Sequence, residues 1–373
     1  MKFVFSVYCL IISSVSFGQT DSSTQNIFII TTDGFRWQEV FTGADPGLIG
    51  NSRYVEDTAL LKESYWDSSA ELRRQKLMPF FWNTIARQGQ LYGNRLFDNK
   101  VNVANFYKIS YPGYNEMFTG WADPVFIPNV PVRNRNMNIL EYLNSREPYA
   151  GKVAAFSSWN IFSAILNEKR SRLPLNSGYE PLPDDSSINN EIINAAQDNI
   201  LQKKNTRYDL LTYLSAREYI EHHQPKVVLI GFGETDEFAH RGRYDLYLQQ
   251  ATQVDRMIAE LWYYVQTNSF YRNKTTFIIT TDHGRGRRTS AWYRHGIFTG
   301  GSGETWFAII GPGIMPEGEI KYAQQSWQKQ IAPLIAQILG EQFGDTRNVR
   351  AMEIPRMSGY NSEIFQGTSA VLK

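Results

Sequence analysis

A six-residue string, FIITTD, occurs twice in the chain, at Phe28–Asp33 and at Phe277–Asp282. Each copy is a short β-branched run closed by a carboxylate. The flanks share nothing: GFRWQEVFTG follows the first copy and HGRGRRTSAW the second, so the recurrence is a local device and not a tandem repeat. A third run, VVLIGFGETD, ends on Asp236. A single aspartate in such a place ordinarily caps a helix. Three of them, each followed within a few residues by Gly or His, form a set that can hold a cation. Of the five histidines, three sit beside these carboxylates. His283 follows Asp282 directly, His240 lies four residues after Asp236 in DEFAH, and His295 opens HG in a Gly-rich loop. A helical turn at DEFAH brings Asp236 and His240 to one face. Carboxylate oxygens with imidazole nitrogens suit zinc. His222 and His223 close a helical pattern in IEHHQPK and read as solvated helix-terminal residues.

A candidate nucleophile lies in YKISYPGYNEMFTG, where Ser110 precedes Tyr-Pro-Gly in a tight turn into a short helix. Such a turn can present a hydroxyl, with backbone N–H groups behind it, to an anion at the helix start. Alone, a serine there is an ordinary turn residue. Together, Asp33, Ser110, Asp236-x-x-x-His240, Asp282-His283-Gly284 and His295-Gly296 resemble, in order, the metal-site motifs of the alkaline phosphatase superfamily. The nucleotide pyrophosphatase/phosphodiesterase-like branch is the most similar, and the resemblance runs from about Asn26 to Gly340. It implies two zinc ions, one held by Asp33, Ser110, Asp282 and His283, the other by Asp236, His240 and His295. It also implies attack by the Ser110 oxygen on phosphorus and a phosphoseryl intermediate that is then hydrolysed. Two departures stand out. Ala239 replaces a glycine common before the second motif's histidine, and Ser110 replaces the threonine common in the phosphodiesterase branch. Sulfatases share Ser-x-Pro-x-Arg, but Tyr114 occupies the arginine position here, which argues against sulfate esters.

Two segments offer donors for phosphate oxygens. One is PVRNRNMN, with Asn134 and Asn136; the other is HGRGRRTSAWYRHG, with Arg285, Arg287, Arg288 and Arg294. Trp37, Tyr111, Trp121, Trp292 and Tyr293 lie near the motifs and can flank a leaving group or fill the core.

These groups need rigid strands behind them. Near-continuous apolar runs predict strands at Ile27–Thr32, Leu91–Phe97, Lys152–Phe156, Lys226–Phe232, Thr276–Thr281 and Trp306–Ile310. Helical patterns fall between them, at Pro79–Gln88, Asn138–Asn144, Asn189–Gln202, Tyr208–His222, Tyr244–Thr267 and Gln325–Leu339. The alternation predicts a three-layer α/β/α sandwich with a mostly parallel central sheet. In such sheets ligands bind beyond the carboxyl ends of the strands, where each of the three aspartates would emerge. The catalytic domain is expected over residues 26–340, with inserted loops near 43–76 and 161–185 and a C-terminal extension at 341–373.

With 373 residues, 42% hydrophobic and 20% charged, the chain can bury a large core. A formal net charge of +1 argues against nucleic acid as a partner and leaves any anion to be recognised locally; the resemblance implies a small-molecule phosphate ester as substrate. MKFVFSVYCLIISSVSFGQ reads as a signal peptide over residues 1–18, so a periplasmic or secreted protein is expected, with no membrane span in the mature chain. Cys9 is the only cysteine, and its removal leaves stability to packing or metal. Alternatives within the same superfamily are a phosphomonoesterase and a phosphoryl transferase or mutase; a non-catalytic binding protein would lack a ligand, and none is missing.

Overall fold

The computed structural model describes residues 23–183, 187–343 and 349–357. The signal-peptide segment and much of the 341–373 extension lie outside the described residues. Eleven strands are present among them: β1 (Asn26–Thr32), β2 (Gln90–Tyr92), β3 (Asn99–Asn102), β4 (Val153–Ser157), β5 (Leu175–Ser177), β6 (Val227–Phe232), β7 (Thr275–Thr281), β8 (Glu304–Thr305), β9 (Phe307–Ile310), β10 (Gly318–Glu319) and β11 (Gln324–Trp327). Eight form the central sheet, in the order β10-β2-β9-β7-β1-β6-β4-β5. Only β9 runs antiparallel to its neighbours; the other pairings are parallel. The remaining three make a small sheet, β11-β3-β8.

The period-two alternation of a strand sends successive side chains to opposite faces. Phe28 and Ile30 of β1 join a core with Leu248, Val254 and Leu261 of the helix Tyr244–Thr267. Ile27 and Ile29 join a second core with Met117 and Phe118 of the helix Ser110–Thr119 and Ile335 of Ile331–Ile338. Burial on both faces explains why the strands read as continuous apolar runs. The result is the three-layer sandwich with a mostly parallel sheet.

Local departures have local causes. The expected strand Leu91–Phe97 stops at Tyr92 because Gly93 turns at positive φ, its N–H held by Asn99 Oδ1. Asn94 then accepts from Leu96 N and opens a 3₁₀ turn at Arg95–Phe97. The expected helix Gln325–Leu339 begins only at Ile331, since Gln324–Trp327 pairs with β3 instead. Region 43–76 is not a bare loop. It holds helices Thr58–Tyr65, capped by Asp57, and Ala70–Leu77, capped by Ser69. Region 161–185 contributes short helical turns and β5, the edge strand of the sheet.

Candidate metal centre

The two FIITTD copies are adjacent strands. β1 and β7 pair in parallel with Phe28 opposite Phe277 and Thr32 opposite Thr281, so Asp33 and Asp282 leave the sheet side by side. On the other flank of β1, Phe232 of β6 lies opposite Thr32. Asp33 N–H donates to Phe232 O at 3.0 Å. Thr235 Oγ1 donates to Asp33 O at 2.6 Å, tying the start of the helix Glu234–His240 to the first aspartate. One turn of that helix carries Asp236 and His240 on a single face, His240 Nε2 lying 3.0 Å from Asp236 Oδ2.

Ser110 is the first residue of the helix Ser110–Thr119 and is buried. Its hydroxyl donates to Asp33 Oδ1 at 3.4 Å, and Oγ stands 3.3 Å from His283 Nε2. His283 Nε2 is also 3.4 Å from Asp33 Oδ1 and 3.5 Å from Asp282 Oδ2. His295 Nε2 faces His240 Nε2 at 3.0 Å and Asp236 Oδ1 at 3.8 Å, and its ring stacks on His283 with centroids 4.0 Å apart. The structure thus gathers Asp33, Ser110, Asp236, His240, Asp282, His283 and His295 at one place. Among the described residues, two groups have ligand atoms mutually within 4.8 Å: Asp236, His240, His295, and Asp33, Asp236, His283. Asp236 belongs to both, whereas the resemblance assigned it to one ion only. Asp282 gives Oδ1 to Gly34 N–H at 2.9 Å and leaves Oδ2 buried with no hydrogen-bond donor.

This arrangement fits a cation. Two imidazole Nε2 atoms facing each other beside a carboxylate, with a buried carboxylate oxygen unserved nearby, satisfy one another poorly without positive charge between them. The titration behaviour agrees. Burial and then the neighbouring Asp33 carboxylate push Asp282 up to about 7. Burial alone would lower His283, but Asp282 and then Asp33 outweigh it and lift the imidazole to about 9. Burial, then His283, lowers both His240 and His295, the latter well below the usual histidine range. In the metal-free protein at neutral pH, His283 therefore keeps its proton, and a metal must displace it. Zinc binding at pH 7 is expected to release about one proton or more per chain. Apparent affinity should climb as pH rises towards 9 and level off beyond it. Calorimetric titration in buffers of different ionisation enthalpy measures the release; a value of zero would contradict this electrostatic picture.

Supporting residues whose roles the sequence did not reveal surround these side chains. Arg285 is fully buried; its Nε donates to Gly34 O at 2.9 Å, one Nη to Tyr293 O at 2.9 Å, and the other contacts Asp236 Oδ1. Burial lowers its pKa to about 9. Asn129 accepts the Tyr111 N–H at 2.9 Å, beside Ser110. Glu116, buried in the same helix, accepts from Ala104 N and Asn105 N and fixes the segment leading into Ser110. The sequence offered Arg285 as a phosphate donor and not as a partner of Asp236; no local pattern marks Asn129 or Glu116.

Several substrate-holding candidates turn out to be occupied elsewhere. Asn134 and Asn136 donate to Asn115 Oδ1 at 3.0 and 3.2 Å, and Asn136 also to Asp123 at 2.7 Å. Arg287 pairs with Glu304, while Arg288 and Arg294 are exposed. Tyr111 and Trp292 are core residues, Trp37 donates to Glu304, Tyr293 packs on Tyr54 and Trp121 is half-buried.

The sequence profile of the type I phosphodiesterase / nucleotide pyrophosphatase family matches residues 40–291. The chain belongs to this family. The match spans Ser110, Asp236, His240, Asp282 and His283, and the geometry adds Asp33 and His295 from beyond its ends. No curated protein sequence matches significantly. The fold is similar to the alkaline phosphatase PafA, with a TM-score of 0.57, 10% identity and coverage of 88% of this chain and 98% of that one. It is also similar to the lipoteichoic acid synthase LtaP from Listeria monocytogenes, with a TM-score of 0.56, 11% identity and coverage of 87% and 74%. A third likeness is a phosphonate monoester hydrolase from Silicibacter pomeroyi, with a TM-score of 0.53, 12% identity and coverage of 88% and 76%. As a member of the type I phosphodiesterase family, within the alkaline phosphatase superfamily, the protein is a hydrolase of phosphoesters. Among the described residues no helix is long and apolar enough to cross a membrane.

Proposed function

We propose that the protein is an exported di-zinc phosphodiesterase that works through Ser110. The observation carrying this reading is the in-register pairing of β1 and β7, which delivers Asp33 and Asp282 together under Ser110 and His283. Asp33, Asp282, His283 and Ser110 would hold one ion, and Asp236, His240 and His295 the other, with Asp236 near enough to serve both. Bound zinc supplies Lewis-acid stabilisation of phosphoryl charge and lowers the pKa of oxygen ligands. Asp33 orients the Ser110 hydroxyl. In the first half-reaction Ser110 releases its hydroxyl proton to water, the Oγ–P bond forms and the bond to the leaving oxygen breaks. In the second, water oxygen attacks phosphorus, Oγ leaves and Ser110 regains a proton. Export rests on the N-terminal segment of the sequence, MKFVFSVYCLIISSVSFGQ.

The diester preference rests on the family match, weighed against the arginines near the motifs. A monoester carries an additional negative charge and benefits from a cation at the phosphoryl oxygens. Arg285 is committed beneath Asp236 and Arg287 to Glu304, which leaves only the exposed Arg288 and Arg294 of that segment for such a charge, and the match to the phosphodiesterase family outweighs them. A bis-aryl phosphate is therefore expected to show a higher kcat/KM than the matched aryl monoester under one zinc and pH condition. A tenfold monoester preference, about 1.4 kcal/mol of transition-state binding, would reverse the assignment.

A further inference from the structure

Three segments meet beside Ser110 and each turns aromatic or aliphatic side chains outward. Residues 104–109 lead into the nucleophile, and the Lys108 carbonyl lies 3.3 Å from His295 Nδ1. The turn after His295 carries Phe298, which is 100% exposed. Residues 123–132 are tied to the nucleophile helix by Asn129 on Tyr111 N and by the Tyr111 hydroxyl on Val132 O. Phe106 and Phe126 are 68% and 51% exposed, and Tyr107 bridges them with ring centroids 5.9 and 4.7 Å away. Isolated exposed apolar residues need no explanation, but a group of rings in mutual contact beside a site does. Basic residues border these segments in the chain: Arg133 follows Val132 and Arg294 precedes His295. Arg133, Arg288 and Arg294 are exposed and make no ion pair among the described residues, while Asp123 is neutralised by Arg135.

We propose that this rim docks on an anionic phospholipid surface, the rings entering the interface and the arginines meeting phosphate headgroups. Apolar side chains backed by unpaired basic residues are the combination that partitions to anionic bilayers. A symmetric contact between two copies would place the same arginines against each other, which disfavours self-association through this face. The docking assignment is independent of the reaction. The consequence for substrate, a phosphodiester presented in a lipid headgroup, rests on the phosphodiesterase reading above.

The test separates the two. Ser110→Ala protein is sedimented with phosphatidylcholine vesicles, with and without phosphatidylglycerol, and the soluble bis-aryl phosphate assay is run on the otherwise intact chain. Binding is expected only with phosphatidylglycerol present and should weaken as salt rises. Combining Phe106→Ser, Phe126→Ser and Phe298→Ser should reduce vesicle binding by ~tenfold or more while soluble turnover stays within about twofold. Absence of vesicle binding, or equal binding by the triple variant, overturns the docking proposal whatever the soluble assay shows. A dimer that the triple variant abolishes would assign the face to a second copy and overturn it as well. Loss of all soluble activity in the unmodified chain would count against the phosphodiesterase reading and leave the sedimentation result standing.

Discussion

Ser110→Ala is expected to lower kcat/KM for a bis-aryl phosphate by about three orders of magnitude, roughly 4 kcal/mol of transition-state stabilisation. The side chain is a single hydroxyl at the first position of a helix whose remaining residues pack in the core, so the fold should survive its removal. Asp33, Asp282 and His283 do not need Ser110 to stay in place, because β1 and β7 fix the aspartates and Gly284 O accepts from His283 Nδ1 at 3.0 Å. Zinc content should therefore remain near that of the unmodified protein. Incubation of the unmodified enzyme with substrate, acid quench and peptide mass analysis should find phosphate on Ser110, and the variant should carry none. Near-normal turnover by Ser110→Ala would instead indicate direct attack by water.

Asp236→Asn should have an effect of similar size for a different reason. Among the described residues, Asp236 is the one carboxylate shared by both ligand groups, so its loss should weaken both. The amide keeps the shape but not the charge, and it leaves the buried Arg285 guanidinium beside a neutral partner. Zinc should fall to one ion per chain or fewer, and turnover by about three orders of magnitude, the several kcal/mol a metal ion contributes to phosphoryl charge stabilisation. Arg285→Lys should be milder, since the lysine keeps a positive charge but cannot reproduce the forked contacts to Gly34, Tyr293 and Asp236. A full complement of zinc and full turnover in Asp236→Asn would remove Asp236 from the metal centre.

Much of this centre was legible because its donors sit in local contexts that the sequence writes out. A β-branched run ending in aspartate reads as a strand with a carboxylate at its mouth, and DEFAH reads as one helical turn. What the sequence could not show was that the two FIITTD copies pair with each other. That register is set by contacts between residues 248 apart, as at Gly34 and Asp282, and nothing in either hexamer encodes it. The same limit applies to the polar residues. Arg285, Arg287, Asn134 and Asn136 carried the right chemistry for phosphate, but a side chain's partner is decided by folding. Three-dimensional packing gave these residues to Asp236, Glu304, Asn115 and Asp123. Asn129 was overlooked because its importance lies in a long-range bond to Tyr111 N. In the fold, Gln324–Trp327 went to a strand against a helical pattern because the open edge of β3 was available.

The central claim is that these side chains together hold two zinc ions that the reaction requires. The most direct measurement is elemental analysis of purified, active protein, followed by chelation and stepwise return of zinc with turnover recorded at each step. The account predicts two zinc ions per chain, loss of turnover on chelation, and recovery that completes only at the second equivalent. Active protein containing one calcium and no zinc, or turnover that persists after complete chelation, would contradict it.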